Sequence, residues 1–139
     1  MAAPSSVSQL NKVVVACLDG RRLKGYVFNF SALKDFFDLL PQDNPLQERG
    51  NRIDFKDIKA IFFVKDFVGV PDHHRNNDAE SSKHGRKIQV KCRDGETMVG
   101  MTEGYNPQKL GFFMFPVDEE DNNVRIFVVN KNIVQAKWA

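Results

Sequence analysis

Residues 12–64 and 87–139 carry one pattern written twice, at a fixed offset of 75. Lys12-Val13-x-Val15-x-Cys17-x-Asp19-Gly20-x-x-Leu23-x-Gly25 returns as Lys87-Ile88-x-Val90-x-Cys92-x-Asp94-Gly95-x-x-Met98-x-Gly100. The register continues without a gap through Lys34/Lys109, Phe37/Phe112, Pro41/Pro116, Asp43/Asp118, Lys56/Lys131 and Ile58/Ile133, for 12 identities in 53 aligned positions. An internal repeat fixes the structural unit before any fold class is chosen. A 53-residue unit is near the lower limit for burying enough surface to fold alone, so the two copies are expected to lean on each other.

Asp19-Gly20 and Asp94-Gly95 each sit between β-rich runs, 13–18 and 23–30 in copy one and 88–93 and 98–102 in copy two. That is a hairpin signal, because Gly accepts positive φ and Asp tolerates it. The next segment is ambiguous. Leu33, Phe36, Phe37 and Leu40 follow helical spacing, yet the matching stretch of copy two holds Pro107 and Gly111, which a helix resists. Repeats should share a fold, so strands are expected at 35–40 and 111–115. Further strands are expected at 52–55, 58–66, 124–129 and 132–138. The expectation is an all-β chain of two tandem small β-barrels, four to five strands each, packed together. The first spans 12–70 and the second 87–139. They are joined by a polar linker at 71–86 that has no large apolar residue to bury.

The copies are not equivalent. The face of the first strand opposite the core reads Gln89, Lys91 and Arg93 in copy two, but Val14, Ala16 and Leu18 in copy one. Ile61-Phe62-Phe63-Val64 is also apolar on both faces. Strands of that kind need cover on both sides. Val14, Ala16, Leu18 and Phe62 are therefore expected to pack against copy two, a second subunit or another partner.

Composition narrows the classes. A net charge of +2 is too mild to force a nucleic-acid or membrane reading, and no apolar run approaches the length of a membrane span. The start of the chain, Met1 to Gln9, is small and polar without the marks of a signal peptide, which points to the cytoplasm. Cys17 and Cys92 alternate with core residues and read as small buried hydrophobes, one per copy.

The hairpin run resembles the opening of Sm-like and related SH3-like small barrels. In copy two, Gly104-Tyr105-Asn106-Pro107-Gln108-Lys109-Leu110-Gly111 and Val128-Val129-Asn130-Lys131-Asn132-Ile133 stand where the two Sm-like motifs would lie. The resemblance implies an RNA pocket built from a loop Asn and a basic pair, but Gly111 and Val129-Asn130 occupy those places. The chain as a whole resembles an uncharacterised bacterial family marked by Gly111-Phe112-Phe113-x-x-Pro116-x-Asp118 and Asn122-Asn123-x-Arg125-x-Phe127-Val128, a likeness that implies no activity. Asn29-x-Ser31 resembles part of the PilZ-type cyclic-dinucleotide motif, but the paired arginines of that motif are missing.

No residue cluster reads as a catalytic site. His73, His74 and His84 lie in the linker with Asp72 and Asp78, where solvation is a better account than metal binding. Asp118 to Asp121 reads as a solvated acidic turn. The surface that most suits binding combines Tyr105, Pro107, Phe113, Asn122, Asn123 and Arg125, with aromatic contact area beside oriented polar groups. Phe112, the match of Phe37, reads as core, whereas Phe113 reads equally as a binding ring or as one of a pair that straddles a barrel wall. The resulting expectation is a noncatalytic interaction or regulatory module without cofactor or metal, with a protein partner or self-association. The first alternative is an RNA-binding Sm-like protein, with RNA disfavoured as partner, and a PilZ-like cyclic-dinucleotide sensor ranks behind it.

Overall fold

The computed structural model describes residues 6–46, 49–68, 85–118 and 120–139. Copy one supplies β1 (Asn11–Cys17), β2 (Arg22–Val27), β3 (Phe36–Pro41), β4 (Asn51–Asp54) and β5 (Ile58–Val64). Copy two supplies β6 (Arg86–Cys92), β7 (Thr97–Thr102), β8 (Gly111–Met114), β9 (Asn123–Val129) and β10 (Ile133–Trp138). Single 3-10 turns, Phe55–Asp57 and Asn130–Asn132, link the last two strands of each copy at the same repeat position. The chain is all-β, as the repeat required. The segment with helical spacing is a strand from Phe36 and Gly111 onward and a helix in neither copy, and Leu33, which would have faced a core, is 96% exposed.

The repeat extends to individual hydrogen bonds. Gly20 and Gly95 have φ of 94° and 90°, and their N–H groups donate to the Cys17 and Cys92 carbonyls. Asp19 and Asp94 each accept the N–H two residues on through Oδ1, at 3.0 Å. The Leu18 N–H donates to Asp57 O and the Arg93 N–H to Asn132 O, again one repeat apart.

The strands form two sheets, one of seven strands in the order β4-β3-β2-β1-β5-β9-β8 and one of three in the order β10-β6-β7. This corrects the expected closure into two barrels. The strand that would close copy one, β5, pairs instead with β9 of copy two, with Ile61 opposite Phe127 and Phe62 opposite Ile126. Both strands are apolar on both faces at these positions, so pairing them places the two-faced strands at the centre of the molecule. Copy two keeps the neighbour order of copy one, but a single backbone bridge, Met101 to Phe115, replaces a ladder between β7 and β8.

Two cores lie on opposite faces of β1, β5 and β9. Val13, Val15, Cys17, Ile61 and Phe63 meet Phe37, Leu39, Phe55, Phe127 and Val129 in the first. Ala16, Ala60, Phe62 and Val64 meet Ile88, Val90, Cys92, Met98, Phe112 and Met114 in the second. The apolar second face of copy one is thus covered by copy two of the same chain. Val14 packs at the margin of that second core, and Leu18 is half-buried at the strand end. Of the expected polar linker, only Gly85 and Arg86 are among the described residues, so its histidines lie outside them. Among the described residues no helix is long and apolar enough to cross a membrane.

Candidate functional site

A groove of about 470 Å³ opens where β7 and β8 part company. Its cause is local. The Thr102 hydroxyl donates to the Phe113 carbonyl at 2.9 Å and also engages the Gly104 backbone, which turns the chain away just after the Met101–Phe115 bridge. Residues 103–110 then form the far wall. Asn130 pins that wall from behind, its Nδ2 donating to the Asn106 and Lys109 carbonyls at 2.8 and 2.9 Å.

Arg125 forms one end of the groove. Its guanidinium carbon lies 4.4 Å from the Phe63 ring centroid and 4.5 Å from that of Phe113, two neighbouring rings 6.1 Å apart that both offer it cation–π contact. Among the described residues no carboxylate lies within ion-pair distance of it, and burial pulls the group below the usual arginine value. Tyr105 meets Phe112 edge-on at 4.9 Å. Successive strand residues point to opposite faces, so Arg125 on Phe113 and Tyr105 on Phe112 stand on opposite sides of the β8 edge. Lys109 adds a second cation to the lining, and exposed Glu103 adds a carboxylate.

The structure brings three of the six expected binding residues together, Tyr105, Phe113 and Arg125. Pro107 is exposed and does not line the groove. Asn122 and Asn123 make connections instead. Asn122 clamps Asp66 through both ends of its amide, at 2.8 and 3.1 Å, and the Asn123 N–H donates to Asp121 Oδ1. The Phe pair does straddle the sheet, Phe112 in the second core and Phe113 against Phe30, Phe63 and Phe127 of the first. The positions compared with an RNA pocket are committed to packing. A Cβ on Gly111 would run into the Val128 carbonyl and the Phe127 ring, Val129 is fully buried, and Asn130 holds the loop.

One cluster escaped the sequence reading. Lys59 is 4% exposed on β5 and donates to Asp94 Oδ2 at 2.7 Å and to Glu96 Oε2, both on the first hairpin of copy two. Burial alone would lower the Lys59 ammonium, but these two hydrogen bonds hold it above the usual lysine value, and Lys59 holds Asp94 below the usual carboxylate range. The available signal was a lone charge inside the apolar run 58–64. Its partners are satisfied, so this is a lock between the copies. The thiols are likewise structural: both are buried and free, and burial pushes Cys92 up to about 11.

A second cavity, of about 370 Å³, lies at the seam between the copies, lined by Asp35, Arg52, Asp54, Lys56, Lys131 and neighbouring apolar residues. Its charges oppose one another, with Arg52 donating to Asp54 at 3.1 Å.

A model of a family of unknown function (DUF6982) matches residues 9–138. No curated protein and no solved structure matches the chain.

Proposed function

The chain belongs to this family of unknown function, and from that premise we propose that it is a noncatalytic cytoplasmic interaction module that docks a segment of a partner protein in the groove between β7 and β8. One observation carries the reading. Arg125 is a half-buried cation with no acidic partner among the described residues, lying against two rings at the wall of an aromatic-lined groove. A desolvated charge without a counter-charge costs stability, and a bound ligand can offset that cost. Rigid aromatics supply contact area at little entropic expense.

Other classes draw less support. Nucleophilic catalysis needs a reactive group beside a base, whereas burial keeps both thiols protonated and Lys59 is fully engaged. For RNA, the positions that would form the Sm-like pocket serve packing and loop support. For a cyclic dinucleotide, Ser31 accepts the Leu33 N–H in a local turn, and Asn29 takes φ of 51° in the same bend.

Selection of random peptides displayed on phage against the full chain tests the proposal. Peptides should be recovered whose binding is lost on Tyr105→Ala or Arg125→Gln and kept on Gln135→Ala, an exposed position on the edge strand β10 that does not line the groove. Recovery of none, or of peptides indifferent to both groove variants, would sink it. RNA captured at physiological salt through the same residues would favour the nucleic-acid reading instead.

A further inference from the structure

We infer that the ligand of this groove is an extended acidic segment, which adds to the free edge of β8 as a further strand. This rests on the docking reading above and names the chemistry of the partner. In an antiparallel pair, alternate residues turn their N–H and C=O toward one neighbour and then the other. Phe115 exchanges both of its backbone bonds with Met101, at 2.7 Å each way, so it faces β7. Phe113 and Gly111, two and four residues before it, must face the same way, away from β9. The Asn130 N–H bond to the Leu110 carbonyl gives the same phase from the other side, since it makes the even-numbered residues of β8 those that bond β9.

β7 has already turned away at this level. The Thr102 hydroxyl takes the Phe113 carbonyl, and no backbone group among the described residues meets the Phe113 N–H or the outward groups of Gly111. An edge with open donors and acceptors is a template for an added strand. The groove keeps this edge accessible while flanking it on both faces.

Side-chain chemistry selects the occupant. An added strand sends alternate side chains to opposite faces. On the Phe113 face they meet Arg125, a preorganised fork suited to a carboxylate. On the other face they meet Tyr105 over Phe112, a surface for an apolar or β-branched side chain. Lys109 reinforces the preference, and Glu103 opposes it from an exposed position where solvent and salt screen it. The motif this predicts is an acid alternating with an apolar residue.

Fluorescence anisotropy with the full chain at physiological salt tests this with three labelled octapeptides: Glu alternating with Val, Lys alternating with Val, and the first with Pro replacing two central Val. The acidic peptide should bind. The basic one should not, and the Pro-bearing one should bind at least about tenfold more weakly because it lacks strand donors. Arg125→Gln should weaken the acidic peptide by about tenfold, the loss of one charge-assisted contact. Lys109→Gln, at an exposed side chain, should weaken it less and covers the case in which the first variant does not fold. Hydrogen exchange should slow at the Phe113 and Gly111 amides on binding. Equal binding of acidic and basic peptides, or binding of the acidic peptide with no added protection at Phe113, would overturn the inference. Displayed peptides of other composition that need Tyr105 and Arg125 would overturn it too, yet leave the docking reading intact. A groove that takes no peptide of any kind would end both.

Discussion

β1 and β6 begin with the same pattern, yet one is buried on both faces and the other on one. Val13, Val15 and Cys17 face the first core as Ile88, Val90 and Cys92 face the second. On the reverse, Ala16 is closed over by copy two, while its counterpart Lys91 lies in solvent. The same contrast separates β5, buried at all seven positions, from β10, where Gln135 and Lys137 replace Ala60 and Phe62. It separates β9 from β4 as well, with Phe127 and Val129 answered by Arg52 and Asp54. Strands that meet at the seam are apolar on both faces, and their counterparts at the outer edges are polar. A duplicated unit joined strand five to strand four is a head-to-tail contact that could in principle continue to a further copy. Charged β4 and β10 blunt that continuation. The two halves thus form one composite body with a buried seam and guarded ends.

Exchanging charge between the buried and the solvent-facing strand should have the largest effect. Ala16→Lys should cost about 4 kcal/mol or more in urea unfolding, because the ammonium enters the second core, while Lys91→Ala should stay within about 0.5 kcal/mol. Equal tolerance would show that the seam is not where the strand pairing puts it. Gly111→Ala should cost about 2 kcal/mol, since its Cβ meets the Val128 backbone and the Phe127 ring at 2.6 Å, whereas Phe36→Ala at the matching site of copy one removes only a half-buried ring.

The two hairpin turns offer a smaller, pH-resolved contrast. Asp94→Asn should cost about 1–2 kcal/mol at pH 7, because it weakens the Lys59 lock, and Asp19→Asn should leave the unfolding midpoint unchanged, because the Asp19–Arg21 pair is exposed. Asp94 is held below its usual range, so its contribution is present above about pH 4 and lost as pH falls through the lower folded value. Lys59 is held above its usual value, so its contribution is complete below about pH 10 and lost as pH rises through the higher folded value. The stability difference between wild type and Asp94→Asn should therefore be flat between those limits and shrink outside them. A difference that grows below pH 4 would contradict the lock.

The smallest expected effect compares the cores. At pH 8 both thiols should react slowly with a disulfide reagent, Cys92 more slowly than Cys17, since Cys92 has the less exposed side chain and the thiol raised to about 11. The reverse order would show that the second core is the looser one.

Local chemistry was legible in the chain. Gly20 and Gly95 needed positive φ, the alternating Val and Cys marked core faces, and a fixed offset of 75 let Pro107 and Gly111 of copy two overrule the helical spacing at Leu33 to Leu40. Three residues that line the groove, Tyr105, Phe113 and Arg125, could be singled out in the chain because they pair aromatic contact area with a cation. Pro107, Asn122 and Asn123 looked equally suited, and nothing in their spacing revealed that Asn122 was needed to clamp Asp66.

The unit, its strands and the need of β1 and β5 for cover on both sides can be read from the chain, because side-chain period and turn geometry are set by near neighbours. Only the tertiary structure decided that β5 pairs with β9, that copy two supplies the cover, and that β7 leaves β8 at Thr102 to open a groove. These follow from contacts between residues far apart in the chain, where two faces of equal apolarity could each have found several partners. The choice among them was made by the packing of both cores at once.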